Sequence, residues 1–145
     1  MKGFLDTNIL LDVLCRREPF FHDSQLILSF CEHFLLNGYV STLSFCTIAY
    51  VLRKYSGQTC ALDSLRRLRV LVKPVELSTE ILDKSLNAAQ NDFEDTIQFY
   101  SAAQVHADCI ITRNPEDFKL PGIAVITPAE FVGRCKFVRG KLVLE

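Results

Sequence analysis

The chain has 145 residues, the length of one domain with one core, and a chain of this size buries enough surface to fold without a disulfide or metal staple. Its 49% hydrophobic and 23% charged residues exclude disorder, collagen-like repeats and coiled coil. Lys and Arg number 16 against 17 Asp and Glu, so the net charge is −1; the overall field does not attract nucleic acid, and such a partner needs a local patch.

Phe4 and Leu5 follow Gly3 and run into Asp6-Thr7-Asn8, a cluster of helix-capping residue types, after which Ile9, Leu10, Leu11, Val13 and Leu14 continue apolar. That pattern predicts a strand feeding directly into a helix. After Pro19, the apolar residues Leu26, Ile27, Phe30, Phe34 and Leu35 recur at helical spacing up to Asn37-Gly38, a suitable helix end. Tyr39 to Thr42 reads as a second short strand. Ser44 to Tyr55 reads as a helix ended by Ser56-Gly57, and a further helix follows over Gln58 to Arg69. Val70-Leu71-Val72 with Val75 predicts a third strand, Ser78-Thr79-Glu80 opens a helix toward Ala89, and Asn91 to His106 is another helix. Asp108 to Thr112 and Ile123 to Ile126 are the fourth and fifth strands, and Thr127-Pro128-Ala129-Glu130 is a helix start with Pro in its first turn. The residues from 136 to 145 fit either a hairpin around Gly140 or a loose tail. Alternation of strand and helix throughout predicts a single α/β domain over 1–145, with a mostly parallel sheet covered on both faces.

The N-terminus places Asp6 where a secretory signal needs its apolar stretch, and no later run is long enough to span a membrane. Cys15, Cys31, Cys46, Cys60, Cys109 and Cys135 are never nearer than 14 residues in sequence. They lack the C-x-x-C start of a zinc or redox site and read as small buried apolar groups. His22, His33 and His106 also lack metal-ligand spacing. A cytoplasmic protein with reduced thiols is expected.

In an open parallel sheet, ligands sit outside the carboxyl ends of the strands. Asp6 leaves the first strand there, and Thr112-Arg113-Asn114-Pro115, followed by Asp117, leaves the fourth. Asp95 joins them by geometry. The helix ending near His106 must run antiparallel to the strand beginning at Asp108, and from Asp95 to His106 it climbs about 16 Å. The strand climbs about 13 Å, so Asp95 is expected at the height of Arg113 and Asn114, on a face shared with Phe99 and Ala102. Ser41 and Thr42 belong to the same edge. Three converging carboxylates repel unless a cation compensates; Mg²⁺ or Mn²⁺ meets that need and suits phosphodiester hydrolysis.

Each residue also has a plainer reading. Asp6 and Asn8 equally suit capping of the first helix. Asp12 reads as a solvated helix position, and Asp92, Glu94 and Asp95 as acids complementing a helix dipole. Asn114-Pro115 could be only a turn, with Asp117 its cap. Arg16-Arg17, Arg53-Lys54 and Arg66-Arg67-Arg69 read as solvated faces, whereas Arg113 on the rim is expected to contact phosphate.

With these residues in hand, the sequence resembles the PIN-domain nucleases, a family that includes the VapC-type toxins of bacterial toxin–antitoxin pairs. The resemblance rests on Phe4 to Leu10, on Asp92 to Gln98 with Ala102-Ala103, on Ile110 to Phe118, and on Ile126 to Phe131. It implies a three-layer αβα sandwich around a mostly parallel five-stranded sheet, and Mg²⁺- or Mn²⁺-dependent cleavage of RNA, commonly single-stranded. By the resemblance Asp6, Asp95 and Asp117 are metal-site and catalytic acids, and Asn114 stands where many members have a further aspartate. Arg113, Thr112, Thr7 or Ser41 would position the phosphate. The family often places a glutamate early in the helix after strand two, nearest here to Ala49, but no acid occurs between Ser41 and Tyr55. Asp92 or Glu94 are the residues that could compensate.

The leading expectation is thus a metal-dependent endoribonuclease, a toxin with a small antitoxin partner. The competing one is a catalytically weak or inactive PIN-like module that binds nucleic acid or protein. An aspartate-nucleophile phosphatase would want an aspartate where Asn8 stands. Pro19-Phe20-Phe21 and Phe34-Leu35-Leu36 are candidate surfaces for a homodimer or the antitoxin, with the core as their alternative destination.

Overall fold

The structure, a computed structural model, describes residues 1–88, 92–138 and 140–145. Its elements in order are β1 (Lys2–Leu5), α1 (Thr7–Leu14), α2 (Phe21–Glu32), β2 (Asn37–Ser41), α3 (Thr42–Leu71), β3 (Lys73–Val75), α4 (Thr79–Asn87), α5 (Phe93–Gln104), β4 (Cys109–Ile111), β5 (Ala124–Ile126), α6 (Pro128–Arg134), β6 (Cys135–Val138) and β7 (Lys141–Leu144). A short 3-10 turn covers Pro115–Asp117 between β4 and β5. The expected helix end at Ala89 and helix start at Asn91 lie outside the described residues.

Five strands form one parallel sheet in the order β3-β2-β1-β4-β5. Strand alternation sorts the core into two layers. Leu5, Val40, Cys109 and Ile111 pack with Ile9, Leu10, Ile27, Ile48, Leu52 and Phe131, from α1, α2, α3 and α6. Phe4 and Ile110 face the other way and meet Phe99 and Ala102 of α5. Both faces are therefore covered, and the three-layer αβα sandwich is the architecture found. Among the described residues no helix is long and apolar enough to cross a membrane.

The structure moves several boundaries. α2 stops at Glu32 rather than continuing to Asn37-Gly38, because Phe34 adopts a φ of 58° and turns the chain. Leu36 then drops into the core at 2% exposure, while Phe34 is left 93% exposed. Asn37-Gly38 begins β2 instead, and Thr42, expected in that strand, is the first residue of α3. Gly38 answers a different need from a helix cap. A Cβ there would sit 2.6 Å from the Cys31 sulfur of α2. We expect Gly38→Ala to cost about 1–3 kcal/mol through overpacking, read as a lowered thermal midpoint, and Cys31→Ala in the same chain to restore most of it; an unchanged midpoint for Gly38→Ala would contradict this close approach.

The two helices expected either side of Gly57 form the two arms of α3, joined at a residue with φ 79° and ψ 169°, a left-handed conformation that favours glycine. The second arm runs on through Val70 and Leu71, which had read as strand, because Leu68 and Val72 face the core and leave Val70 in solvent. Packing overrides β-propensity there, and β3 is only Lys73–Val75. The C-terminal residues form an antiparallel hairpin, β6 with β7, and Leu142 anchors it in the core. Of the six thiols, all free, only Cys31 and Cys109 are buried; Cys46 and Cys60 are exposed on α3, contrary to the expectation for every cysteine.

Candidate active site

At the carboxyl edge of the sheet a polar cleft of about 260 Å³ is lined by Asp6, Asn8, Asp92, Glu94, Asp95, Asn114 and Asp117, with Thr7, Leu11, Thr47 and Gln98. Residues remote in sequence meet there for a topological reason. β1 is central, and β4 lies beside it in parallel, so the chain leaves both strands on the same side.

Asp6 is nearly buried at 3% exposure and held from several directions. Its backbone N–H donates to Ile111 O at 3.0 Å, continuing the sheet. One carboxylate oxygen accepts the Asn8 N–H at 3.4 Å as the cap of α1. The other accepts the Thr112 hydroxyl at 2.8 Å, and that hydroxyl oxygen accepts the Asn114 N–H at 3.1 Å. Capping and site placement are thus one arrangement rather than rival readings.

Asp95 sits in the first turn of α5, whose cap is Asp92 through a 3.1 Å bond from the Asp95 N–H. Burial, followed by the charges of Asp92, Asp6, Asp117 and Glu94, pushes its carboxyl from an ordinary 3.8 up to about 7. Burial chiefly, with Asp6 and Asp92, also raises Glu94. Asp117 is exposed, at the end of the 3-10 turn that starts after Asn114.

Asp92 and Glu94 separate in role. Asp92 is an exposed helix cap. Glu94 reaches across the cleft, and its Oε1 accepts the hydroxyls of Thr7 at 3.3 Å and Thr47 at 3.5 Å. Thr7 and Ser44 share a 2.8 Å bond, and the Thr7 N–H donates to Gln98 Oε1 at 3.3 Å. So the early turns of α3, which carry no acid, meet a carboxylate supplied by α5. The sequence reading missed Thr47, Ser44 and Gln98. Gln98 carried a usable signal, one turn beyond Asp95 on the same face; Thr47 and Ser44 carried only the weaker one of small polar groups on a largely apolar helix.

Four expected roles need correction. Arg113 does not face the cleft: its guanidinium pairs with Asp12 at 3.1 Å and stacks over Phe20 at 4.4 Å, with its side chain 19% exposed. Asp12 is fully buried, not solvated, and also accepts the Ser24 hydroxyl at 3.3 Å. Thr112 is buried and spends its hydroxyl on Asp6, so it orients an acid rather than a phosphate. Ser41 is buried as the cap of α3 and does not line the cleft.

The donor chemistry, carboxylates with an amide and hydroxyls, fits a hard divalent cation. Among the described residues, however, no group of three His, Cys, Asp or Glu side chains forms a cluster that would hold a metal ion.

Residues 2–116 match a family model described as "PIN domain". No curated protein matches. Among solved structures, the chain is similar to a toxin–antitoxin complex from Klebsiella pneumoniae at 24% identity and TM-score 0.66, covering 87% of this chain and 97% of that one. It is similar to VapBC-1 from nontypeable Haemophilus influenzae at 15% identity and TM-score 0.69, covering 89% and 99%. It is also similar to VapC20 from Mycobacterium tuberculosis, a sarcin–ricin loop cleaving toxin, at 10% identity and TM-score 0.59, covering 74% and 86%. At these identities the structural likeness is one of fold.

Proposed function

This chain belongs to the PIN-domain family, and from that premise we propose that it is a Mg²⁺- or Mn²⁺-dependent endoribonuclease, the cytoplasmic toxin of a toxin–antitoxin pair, with 1–145 acting as one domain. What supports the reading is the convergence of Asp6, Asp95 and Asp117, with Asp92 and Glu94 beside them, on one polar cleft at the carboxyl edge of a parallel sheet. The toxin–antitoxin complexes among the structural neighbours support an antitoxin partner.

Asp6, Asp95 and Asp117, with Asn114, would hold the ion, which when bound supplies a polarising charge and a more acidic water. The chain's own part is orientation and charge. Asp6 is held in place by the Thr112 hydroxyl and by its capping bond to Asn8. Glu94, fixed by Thr7 and Thr47, is the carboxylate that stands in for the acid missing from α3. With its carboxyl pushed up to about 7, Asp95 is about half protonated at neutral pH, and a cation would displace that proton.

Purified protein is therefore expected to cut single-stranded RNA when Mn²⁺ or Mg²⁺ is added and not in EDTA. The same ions should raise the thermal midpoint more at pH 8 than at pH 5.5, where protons already occupy Asp95. The second reading, a binding module, is favoured by the neutral Asn114 and by early turns of α3 that carry no acid. Absence of cleavage in every divalent metal would decide for it.

A further inference from the structure

We infer that Tyr50 and Lys54 form a base-stacking subsite for single-stranded RNA on the α3 side of the cleft, an assignment that rests on the cleft being an RNA-cleaving centre. Thr47, which lines the cleft, is followed by Tyr50 and Lys54 at i+3 and i+7. On a helix those positions make one stripe, rising about 10 Å from Thr47 to Lys54. Tyr50 is 55% exposed, and the Lys54 ammonium lies 4.2 Å from its ring centroid.

An exposed aromatic alone requires no explanation. Here the ring is paired with a cation, and the stripe starts inside the cleft. The cleft itself is acidic and repels a phosphate backbone, and Arg113 is committed to Asp12. A strand whose scissile phosphate enters the cleft must be held by groups beside it. An aromatic face accepts any base by stacking, and a neighbouring ammonium neutralises a phosphate. Duplex RNA keeps its bases inside and cannot use such a platform. Gly57 breaks the helix about one turn past Lys54, so the platform is short and suits one or two nucleotides next to the cut.

The test is fluorescence anisotropy with a short labelled single-stranded RNA at low salt in EDTA, which reads binding without cleavage, followed by steady-state kinetics in Mn²⁺. Tyr50→Ala is expected to weaken binding by about 5- to 100-fold and to raise KM with kcat held. Tyr50→Phe, which keeps the ring, should bind within about twofold of wild type, and Lys54→Gln should lower the salt slope by about one phosphate contact. Phe34→Ala, at the opposite edge of the sheet, should change neither. Wild-type binding by Tyr50→Ala, a loss in Tyr50→Phe equal to that in Tyr50→Ala, or no strand binding by wild type would each overturn the subsite. A wild type that binds through Tyr50 yet cuts in no divalent metal overturns the nuclease reading and leaves the subsite standing.

Discussion

Replacing Asp95 by Asn is expected to stop RNA cleavage and, in the same protein, to raise the stability of the metal-free fold. The first effect follows from removing a carboxylate that would hold the cation. A bound ion contributes several kcal/mol of charge stabilisation, so the loss in rate should be on the order of 100-fold or more. The second follows from repulsion. Asp95 titrates at about 7 in the fold against 3.8 ordinarily, because it is partly buried and faces four other acids. An acid whose folded pKa lies above its unfolded one destabilises the native state above pH 7, and that penalty fades as pH falls from about 7 toward 4. The group is half exposed and screened by water, so the gain at pH 8 should be on the order of 1–2 kcal/mol, or roughly 3–6 °C in midpoint. Thermal melts of both proteins in EDTA, from pH 8 down to 4.5, check this: the advantage of Asp95→Asn should shrink steadily on acidification. A variant no more stable than wild type at pH 8 would mean that the carboxylates do not crowd one another.

Arg113→Ala should instead produce the largest loss of stability. Asp12 is fully buried, its partners are the Arg113 guanidinium and the Ser24 hydroxyl, and burial already raises its carboxyl in spite of Arg113. Removing one member of a buried pair leaves the other charge without its close partner, here with only the weaker attraction of Arg17, and costs about 3–5 kcal/mol, which for a chain of this length lowers the midpoint by roughly 10 °C or more. The variant should regain part of that loss on acidification, because protonated Asp12 no longer needs a cation. Denaturant unfolding at pH 8 and pH 5 measures both. The outcome against the pair is a folded variant of wild-type stability with weakened RNA binding, the behaviour of a rim contact to phosphate.

What the sequence could and could not disclose divides along the range of the interactions. Asp6 was legible because its signal is local, an acid leaving a strand into a helix. Asp95 was legible because helix rise and strand rise fix its height once the connection at His106 and Ala107 is short. The fate of Arg113 was not legible. Its partner is an aspartate on α1, and nothing around residue 113 distinguishes a guanidinium aimed at solvent from one folded inward over Phe20. Asp12 failed for the same reason from the other end: a charge in a helix reads as solvated until its counter-charge is known. Val70 and Leu71 misled by composition, since three apolar residues in a row fit a strand as well as a helix whose alternate sides face the core and water. Gly38 reads in sequence as a helix end, whereas its reason, the sulfur of Cys31, belongs to packing between α2 and β2.

Asp6 differs from the other acids of the cleft in having obligations that do not depend on chemistry. It starts the first helix, takes the hydroxyl of Thr112 and extends the central pairing of the sheet through its N–H. Asp95 owes the fold nothing comparable. Descendants of this chain released from selection for activity would therefore shed the acid at 95 early and retain the one at 6 long afterwards, so that an aspartate surviving at 6 testifies to architecture, and one at 95 to use.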